Sequence, residues 1–454
     1  MKKTLLFLLV GTAMAEDNLT IYNKDLALVS EQRSLDLQAG TNKIDLANVA
    51  ARIIPQSAIL KSAAPFQLLE QNFDYDLLNG QSLLDKYVGK EIEVIANDGK
   101  REKATVLANN GNKAGGEGEG PILKYADRIE IGLPHRARLA FPGVPENLRD
   151  KPTLNVQLAS KEAQKADVEL NYLTQGMDWR ADYVANLAKD GQLSIAGWVT
   201  LNNQSGKTFE QARVQLVAGE VNRAPVLGFN GDRMMMARAP VAAMAETAEA
   251  VEEVLGDYHL YTLPNRTDVL NNQSKQVALL SVANIPAEKI YELRHNAVDD
   301  NEDEFKQQAK TYLKFINKEM PLPAGIVRVY QQDSQGQSQF VGEDRVKHTA
   351  TNEEVKLTLG EAFDVRGEYK RKDWKRLDSG ITRKERFQVE EEITLFSSRE
   401  QPVQVSVIET FNGQWKIQEE SAKHEKKGAT EARWLVEIPA KGKTVLSYKA
   451  ELTY

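Results

Sequence analysis

The residues best suited to acid–base or metal chemistry are few and scattered along this sequence. His424 and Glu425 begin the zinc-protease pattern HExxH, but Gly428 occupies the place of the second histidine. There is no cysteine, which excludes thiol chemistry and disulfides, and we find no GxSxG, SxxK or phosphate-loop motif. The sequence therefore assigns no catalytic residue and predicts neither a metal nor a cofactor. The five histidines are all distant from one another: His135, His259, His295, His348 and His424.

Two loops have compositions that resemble ion or phosphate sites. In the acidic run 298–304, residues 299, 301 and 303 match the first ligand positions of a calcium loop, but Glu304 replaces the required glycine and Lys310 the final glutamate. The glycine-rich loop 115–120 carries two glutamates, which would repel a phosphate, and it departs from GxGxxG. We interpret the first as a solvated charged loop and the second as a flexible hairpin tip.

Two features could bind a ligand without reacting with it. Trp198 lies on the strand face opposite Ile195 and Val199, so it is either buried under a second sheet, which two-layer β domains favour, or presented as a stacking platform. A basic and aromatic stretch could bind anionic sugars or lipid phosphates through charge-assisted hydrogen bonds, or could be a solvated hairpin. Its members are Tyr369, Lys370, Arg371, Lys372, Trp374, Lys375 and Arg376.

The elements that must position these side chains are predicted to be mostly strands. From Leu193 to Leu201 apolar and polar residues alternate, the turn 202–206 follows, and the alternation resumes at Val214, so a β-meander is the simplest interpretation. Residues 305, 309, 312 and 316 have helical spacing, but residues 313 and 315 and the prolines at 321 and 323 suit a strand that enters a turn, so we prefer a strand at 311–316. One short helix is expected at 82–87, with Ser82 as its N-cap and Gly89 as its stop. The predicted fold class is mostly β, with several antiparallel β-sandwich or barrel modules and few short helices.

Composition and turn residues divide the chain into modules. We predict an N-terminal β domain over 16–150, with a possible small SH3-like barrel at about 88–132. A central β-sheet domain over 151–384 contains a flexible, methionine- and alanine-rich insertion at about 228–256, whose end, 245–256, could be a short acidic helix. The last module, 385–454, has the strand spacing of an immunoglobulin-like β-sandwich.

The first 15 residues have the pattern of a secretory signal peptide. Lys2 and Lys3 precede the apolar run 5–10, and Ala13 and Ala15 supply the small residues of a cleavage site before Glu16. No later stretch approaches the roughly 18 apolar residues of a membrane span. The formal net charge of −7 becomes more negative without the two lysines, which is the opposite of what a non-specific nucleic-acid binder needs. We expect a periplasmic or secreted protein.

Several stretches in order carry a resemblance to a known family: 21–40, 172–184, 197–223, 321–330, 341–346, 359–365 and the closing strands. Together they resemble a bacterial exported family known only as a domain of unknown function, some of whose members are labelled mucoidy-inhibitor-like. The long coiled coil of those members is missing here, and the possible small barrel occupies the corresponding region. The resemblance implies an exported, largely β architecture and supplies no reaction, cofactor or catalytic residue.

These observations predict a binding or structural role in the cell envelope, with an anionic envelope component or another envelope protein as the partner. The alternative is a hydrolase that acts on envelope polysaccharide or peptide, with carboxylates brought together by the fold. Two or three carboxylates that converge with a histidine in a deep cleft would favour the enzyme. An open sheet lined by tryptophan, or the basic stretch presented at the surface, would favour binding.

Overall fold

The computed structural model describes residues 17–74, 76–110, 120–133, 135–145, 148–219, 221–222, 251–255, 258–297, 304–377 and 385–453. The predicted signal peptide lies outside the described residues. So do the glycine-rich loop apart from Gly120, the acidic run apart from Glu304, and the insertion up to residue 250.

Strands dominate the described chain. One α-helix, α1, spans Gly80–Lys86, and a 3-10 helix spans Pro55–Ser57. The predicted mostly-β fold class is therefore confirmed. In chain order the strands are β1 Asn18–Tyr22, β2 Ala27–Leu37, β3 Gly40–Ala47, β4 Ile59–Ser62, β5 Gln67–Asp74, β6 Glu91–Ile95, β7 Arg101–Asn110, β8 Gly120–Lys124, β9 Ile129–Ile131, β10 Arg138–Ala140, β11 Thr153–Ser160, β12 Gln164–Thr174, β13 Met177–Leu187, β14 Gln192–Asn203, β15 Phe209–Ala218, β16 Val251–Leu255, β17 Tyr258–Thr262, β18 Thr267–Val269, β19 Gln273–Asn296, β20 Glu304–Ile316, β21 Gly325–Gln332, β22 Ser338–Val346, β23 Glu354–Arg376, β24 Arg386–Ser397, β25 Val403–Thr410, β26 Gln414–Glu420, β27 Glu425–Lys426, β28 Glu431–Ile438 and β29 Lys443–Thr453.

The local predictions are mostly right, and the predicted pairing is wrong. Residues 311–316 belong to a strand, as expected, and the helix forms, although Asn79 and not Ser82 is its N-cap, because its side chain accepts hydrogen bonds from the amides of Gln81 and Ser82. Val251–Leu255 is a strand where an acidic helix was expected. β13 and β14 are neighbours, but β12 pairs with β2 and β15 with β1, so the predicted meander is wrong.

The chain forms two compact units. The first consists of Met1–Trp179, Leu201–Val217 and Leu260–Lys275, and the second of Arg180–Thr200, Ala218–His259 and Gln276–Tyr454. The segment predicted as one central domain, 151–384, thus contributes to both units. Within the described part of the chain, no helix has the length and hydrophobicity of a membrane-spanning segment.

The first unit is built around a sheet in which β1 lies between two partners. β1 runs parallel to β15 and antiparallel to β2, and β2 pairs with β12 from Leu37 opposite Gln164 to Ala27 opposite Thr174. Apolar side chains alternate along β2 and β12, so one face of this sheet is buried. A three-stranded sheet in the order β3, β11, β5 is separate from it.

A smaller sheet in the same unit has the order β10, β6, β7, β8, β9. Leu84 and Tyr87 from the α1 region pack against its buried residues, among them Ile92, Val106 and Leu123. β9 and β10 lie at opposite edges, so in the described residues the region is an open sheet covered by a helix. The possible small SH3-like barrel at about 88–132 stays a prediction, and in the described residues β9 and β10 do not pair with each other.

The interior of the first unit holds a buried ion pair between Glu31 of β2 and Lys207, which precedes β15. The Tyr172 hydroxyl donates to Glu31 Oε1 over 2.7 Å, and Arg33 Nε donates to Oε2 over 3.1 Å. Burial raises the pKa of the Glu31 carboxyl, but the charges of Lys207 and Arg33 outweigh it and lower this pKa below its usual value. Glu31 is therefore held as an anion inside the sheet.

The second unit continues from strand to strand in the order β19, β20, β23, β24, β29, β26, each antiparallel to the next. β25 joins β19 in parallel, from Val405 opposite Tyr291 to Thr410 opposite Asn296, and β28 pairs with β25. The core draws on both sets of strands and includes Leu293, Val365, Val407, Trp434 and Tyr448. The predicted C-terminal module, 385–454, thus shares its interior with earlier strands.

Candidate functional site

The basic stretch 369–376 lies at the end of β23, where it pairs with β24 as far as Arg376 opposite Phe387. Tyr369 is buried in the core of the second unit. Trp374 is 38% exposed and stacks on Phe387 with 5.4 Å between ring centroids. The stretch is therefore one arm of a two-stranded segment, and only part of it reaches solvent.

Most cations of this stretch are paired with carboxylates. Lys370 contacts Glu304, and the other three ion pairs are Arg371 with Glu391 at 3.1 Å, Lys372 with Glu392 at 2.8 Å, and Arg376 with Glu385 at 2.7 Å. In the parts of the chain that the structure describes, Lys375 is the one cation of the stretch without such a pair. Cross-strand carboxylates thus already neutralise the charge that an anionic ligand would need.

Trp198, the other candidate from the sequence, is half-buried on β14. Val199 and Ile195 on the opposite face are buried, as the alternation predicted. The indole is therefore neither a core side chain nor a fully presented platform.

A cluster of acid–base side chains that the sequence did not single out lies inside the second unit. The parallel register of β19 and β25 places His295 opposite Glu409, and His295 Nδ1 lies 2.8 Å from Glu409 Oε2. In the antiparallel registers of β24, Glu391 is opposite Arg371 on one side and Tyr448 on the other. Backbone pairing thus brings together a histidine and two carboxylates from three distant parts of the chain.

The sequence did contain a signal for this cluster. Glu409 occupies one of the alternate, buried positions of β25, in line with Val405, Val407 and the following Phe411. Glu391 likewise occupies a buried position of β24 among apolar residues. An acidic residue in a run of inward-facing apolar positions must be paired or neutralised. This alternation alone would have identified both glutamates as buried, although it could not have shown that they lie close together.

Burial controls the protonation of this cluster. It raises the pKa of Glu391 to about 7, in spite of the hydrogen bond from Arg371 and with a further increase from the negative charge of Glu409. The pKa values of Tyr369 and Tyr448 are raised well above their usual range by burial and then by the two glutamates. The Tyr369 hydroxyl finds no hydrogen-bond partner in the described residues. The cluster therefore holds a carboxyl that titrates near neutral pH.

The same cluster is closed to solvent. The side chains of His295, Glu409 and Glu391 are 4%, 0% and 3% exposed, and the rings of Phe305 and Tyr369 each lie 4.9 Å from the His295 ring. Two carboxylates and a histidine do converge, but they do so in a core and not in a cleft. No substrate can touch them in this structure.

An accessible cleft of about 790 Å³ lies elsewhere in the second unit, beside β19 and the start of β25. Arg399 contacts the Tyr291 hydroxyl, lies over its ring at 4.4 Å and pairs with Asp364 at 2.8 Å. Lys289 Nζ donates to the Gln331 side chain over 2.8 Å. The volume is typical of a ligand site. The charged residues of its lining are Glu288, Lys289, Lys314, Asp364, Arg399, Glu400 and Arg433.

No group of three or more His, Cys, Asp or Glu side chains in the described ranges is arranged to hold a metal ion. Comparison with protein-family models and with curated proteins found no match for this chain. The family resemblance stated above therefore stays a prediction.

Proposed function

We propose that this protein is an exported component of the bacterial cell envelope with a binding or structural role. The signal-peptide pattern of residues 1–15 and the ordered stretches that resemble an exported family support this assignment. The partner would be an anionic envelope component or another envelope protein.

The observation that carries the proposal is the contrast in exposure between the two groups of charged residues in the second unit. A general acid or base must come within hydrogen-bond reach of its substrate, whereas His295, Glu391 and Glu409 are buried. The charged groups that a ligand can reach line the cleft, where Lys289 can hold a polar ligand by charge and hydrogen bonds. Accessible cations with buried acid–base groups favour binding over hydrolysis.

A hydrolase acting on envelope polysaccharide or peptide is the second candidate. One observation favours it: a carboxyl whose pKa is about 7 lies in the same cluster as a second carboxylate and a histidine. Such a reaction would require the core around Glu391 to open to its substrate.

Co-sedimentation of the mature protein with isolated bacterial envelopes tests the proposal, with the supernatant examined by mass spectrometry. We expect the protein to be retained, the retention to weaken with salt, and no fragments to be released. Released sugar or peptide fragments would replace the proposal with the hydrolase. Loss of retention at low salt would remove envelope binding altogether.

Variants in the same assay show whether the basic stretch 369–376 or the cleft binds the envelope. Four of the five cations of the basic stretch are already paired with carboxylates. The double variant Lys372→Gln/Arg376→Gln should therefore leave retention nearly unchanged. If this double variant loses retention and the cleft variant described below keeps it, the basic stretch is the envelope-binding surface.

A further inference from the structure

The cleft of the second unit lies where the strand beside β19 changes from β14 to β25. The amide of Ala287 donates to Gly191, in the turn before β14, over 3.1 Å, and the register with β25 begins four residues later at Tyr291. Between these points the strand pairs only with β20, which lies along its opposite edge, through Glu288, Lys289 and Ile290. In the described residues, one edge of this three-residue run is therefore not covered by a strand.

An uncovered strand edge presents backbone donors and acceptors to an extended peptide. At about 3.3 Å per residue, the gap is about 10 Å long and fits two or three residues of an added strand. The flanking strand β25 and the turn at Gly191 limit the length of a strand that could be added here. The opening thus selects a short extended segment over a long one.

Lys289 gives this edge its charge preference. Its ammonium donates to the neutral Gln331 amide and, in the part of the chain that the structure describes, pairs with no carboxylate. Arg399 is different, because Asp364 and Tyr291 already hold it. Lys314 pairs with Glu354 at 2.6 Å, and Glu400 with Lys441 at 2.7 Å.

The electrostatics agree with this geometry. Burial, and then the positive charge of Arg399, lower the pKa of Lys289 and outweigh the opposite effect of the Asp364 carboxylate. The two cations therefore repel each other at the cleft, and an anion bound beside Lys289 would relieve that repulsion and favour its charged form.

We propose that this cleft binds a short extended peptide with a free carboxylate, the carboxylate beside Lys289 and the peptide backbone along the open edge of residues 288–290. The proposal rests on the binding role proposed above and gives it a ligand class. Lys289 supplies the charge, the strand edge supplies the backbone hydrogen bonds, and Arg399 fixes the wall of the cleft.

Calorimetric titration of the full mature protein with N-acetyl-trialanine and with its C-terminal amide tests the proposal. We expect the acid to bind about tenfold more tightly than the amide, because only the acid forms the charge-assisted contact. Lys289→Gln should bind acid and amide alike, at the level of the wild type with the amide. Lys314→Gln is the matched control: it lines the same cleft but removes a lysine that already has a carboxylate partner, so it should keep the wild-type preference.

Equal affinity of the wild type for acid and amide, or no binding of either, would overturn the proposal. Glucuronate or inorganic phosphate binding as tightly as the peptide acid would also overturn it, since neither can pair with a strand edge. The envelope assay separates this result from the proposed function. If envelopes retain wild type and Lys289→Gln alike, envelope binding stands and the cleft is not its site. If the peptide acid binds but envelopes are not retained, the cleft stands and the envelope role falls.

Discussion

At the scale of single residues, the core of the second unit contains a carboxyl group, that of Glu391, whose pKa is raised to about 7. Glu391 lies between Arg371 and Tyr448 in the sheet, with Glu409 near enough to raise its pKa further. Arg371 pairs with Glu391, and His295 contacts Glu409. A carboxyl in such surroundings is held in its neutral form more readily than one in water.

This arrangement predicts a pH dependence of stability. The folded chain keeps a proton on Glu391 up to a pKa of about 7, whereas the unfolded chain releases it near the ordinary value of 4.5. This contribution to stability is therefore fully present below pH 4.5 and is lost as the pH rises toward 7. Glu391→Gln keeps a neutral group at all pH values. Relative to this variant, the wild type should lose up to about 3 kcal/mol of unfolding free energy between pH 4.5 and pH 8.

Urea unfolding at a series of pH values measures this difference. The control is Glu392→Gln, which alters a surface carboxylate paired with Lys372 on the same strand and should follow the wild-type pH profile. Parallel pH profiles for wild type and Glu391→Gln would show that Glu391 titrates at its ordinary value.

At the scale of elements, a buried ion pair fastens three segments of the first unit. Glu31 is on β2, Tyr172 is on β12, and Lys207 precedes β15. The Ala50 amide donates to the Tyr172 hydroxyl over 3.2 Å, so a loop is tied to the same point. Removing one partner of a buried ion pair leaves the other charge without compensation, which costs more than the pair itself contributes.

Lys207→Met should therefore lower the unfolding free energy by about 3 kcal/mol, near the lower end for a broken buried pair because Arg33 still contacts Glu31. The double variant with Glu31→Gln should be less destabilised than Lys207→Met alone, since no unpaired charge remains. Urea unfolding of Lys207→Met, Glu31→Gln and the double variant tests this coupling. Lys103→Met, which breaks the exposed pair with Glu91, should leave the unfolding free energy nearly unchanged. Additive costs for the two buried substitutions would exclude the coupling.

At the scale of the whole molecule, the proposed export would determine which part of the chain folds. Expression in a bacterium with a periplasm should yield a protein whose intact mass corresponds to a chain that starts at Glu16, because Ala13 and Ala15 satisfy the signal peptidase. Ala15→Phe should retain the leader, since a bulky residue at that place blocks cleavage. Recovery of the uncleaved wild-type chain from the cytoplasm would contradict both the leader and the envelope role.

The sequence determined by itself most of the strands and which face of each is apolar, although Val251–Leu255 is a strand where a helix was expected. β14 and the short helix were predictable because side-chain alternation and turn residues depend on residues close together in the chain, although the N-cap is Asn79 and not Ser82. The sequence even showed that Glu391 and Glu409 occupy the alternate positions that face the core.

Only the tertiary structure decided which strands lie side by side. It pairs β12 with β2 and β15 with β1, where local patterns suggested a meander, and it sets His295 beside Glu409 across 114 positions of the chain. In the described residues it also leaves one edge of β19 uncovered by a strand at Lys289. A period of two residues fixes the face of a strand but carries no information about its neighbour. Strand partners are chosen by the burial of apolar faces across the whole unit, and both the cluster and the cleft are consequences of that choice.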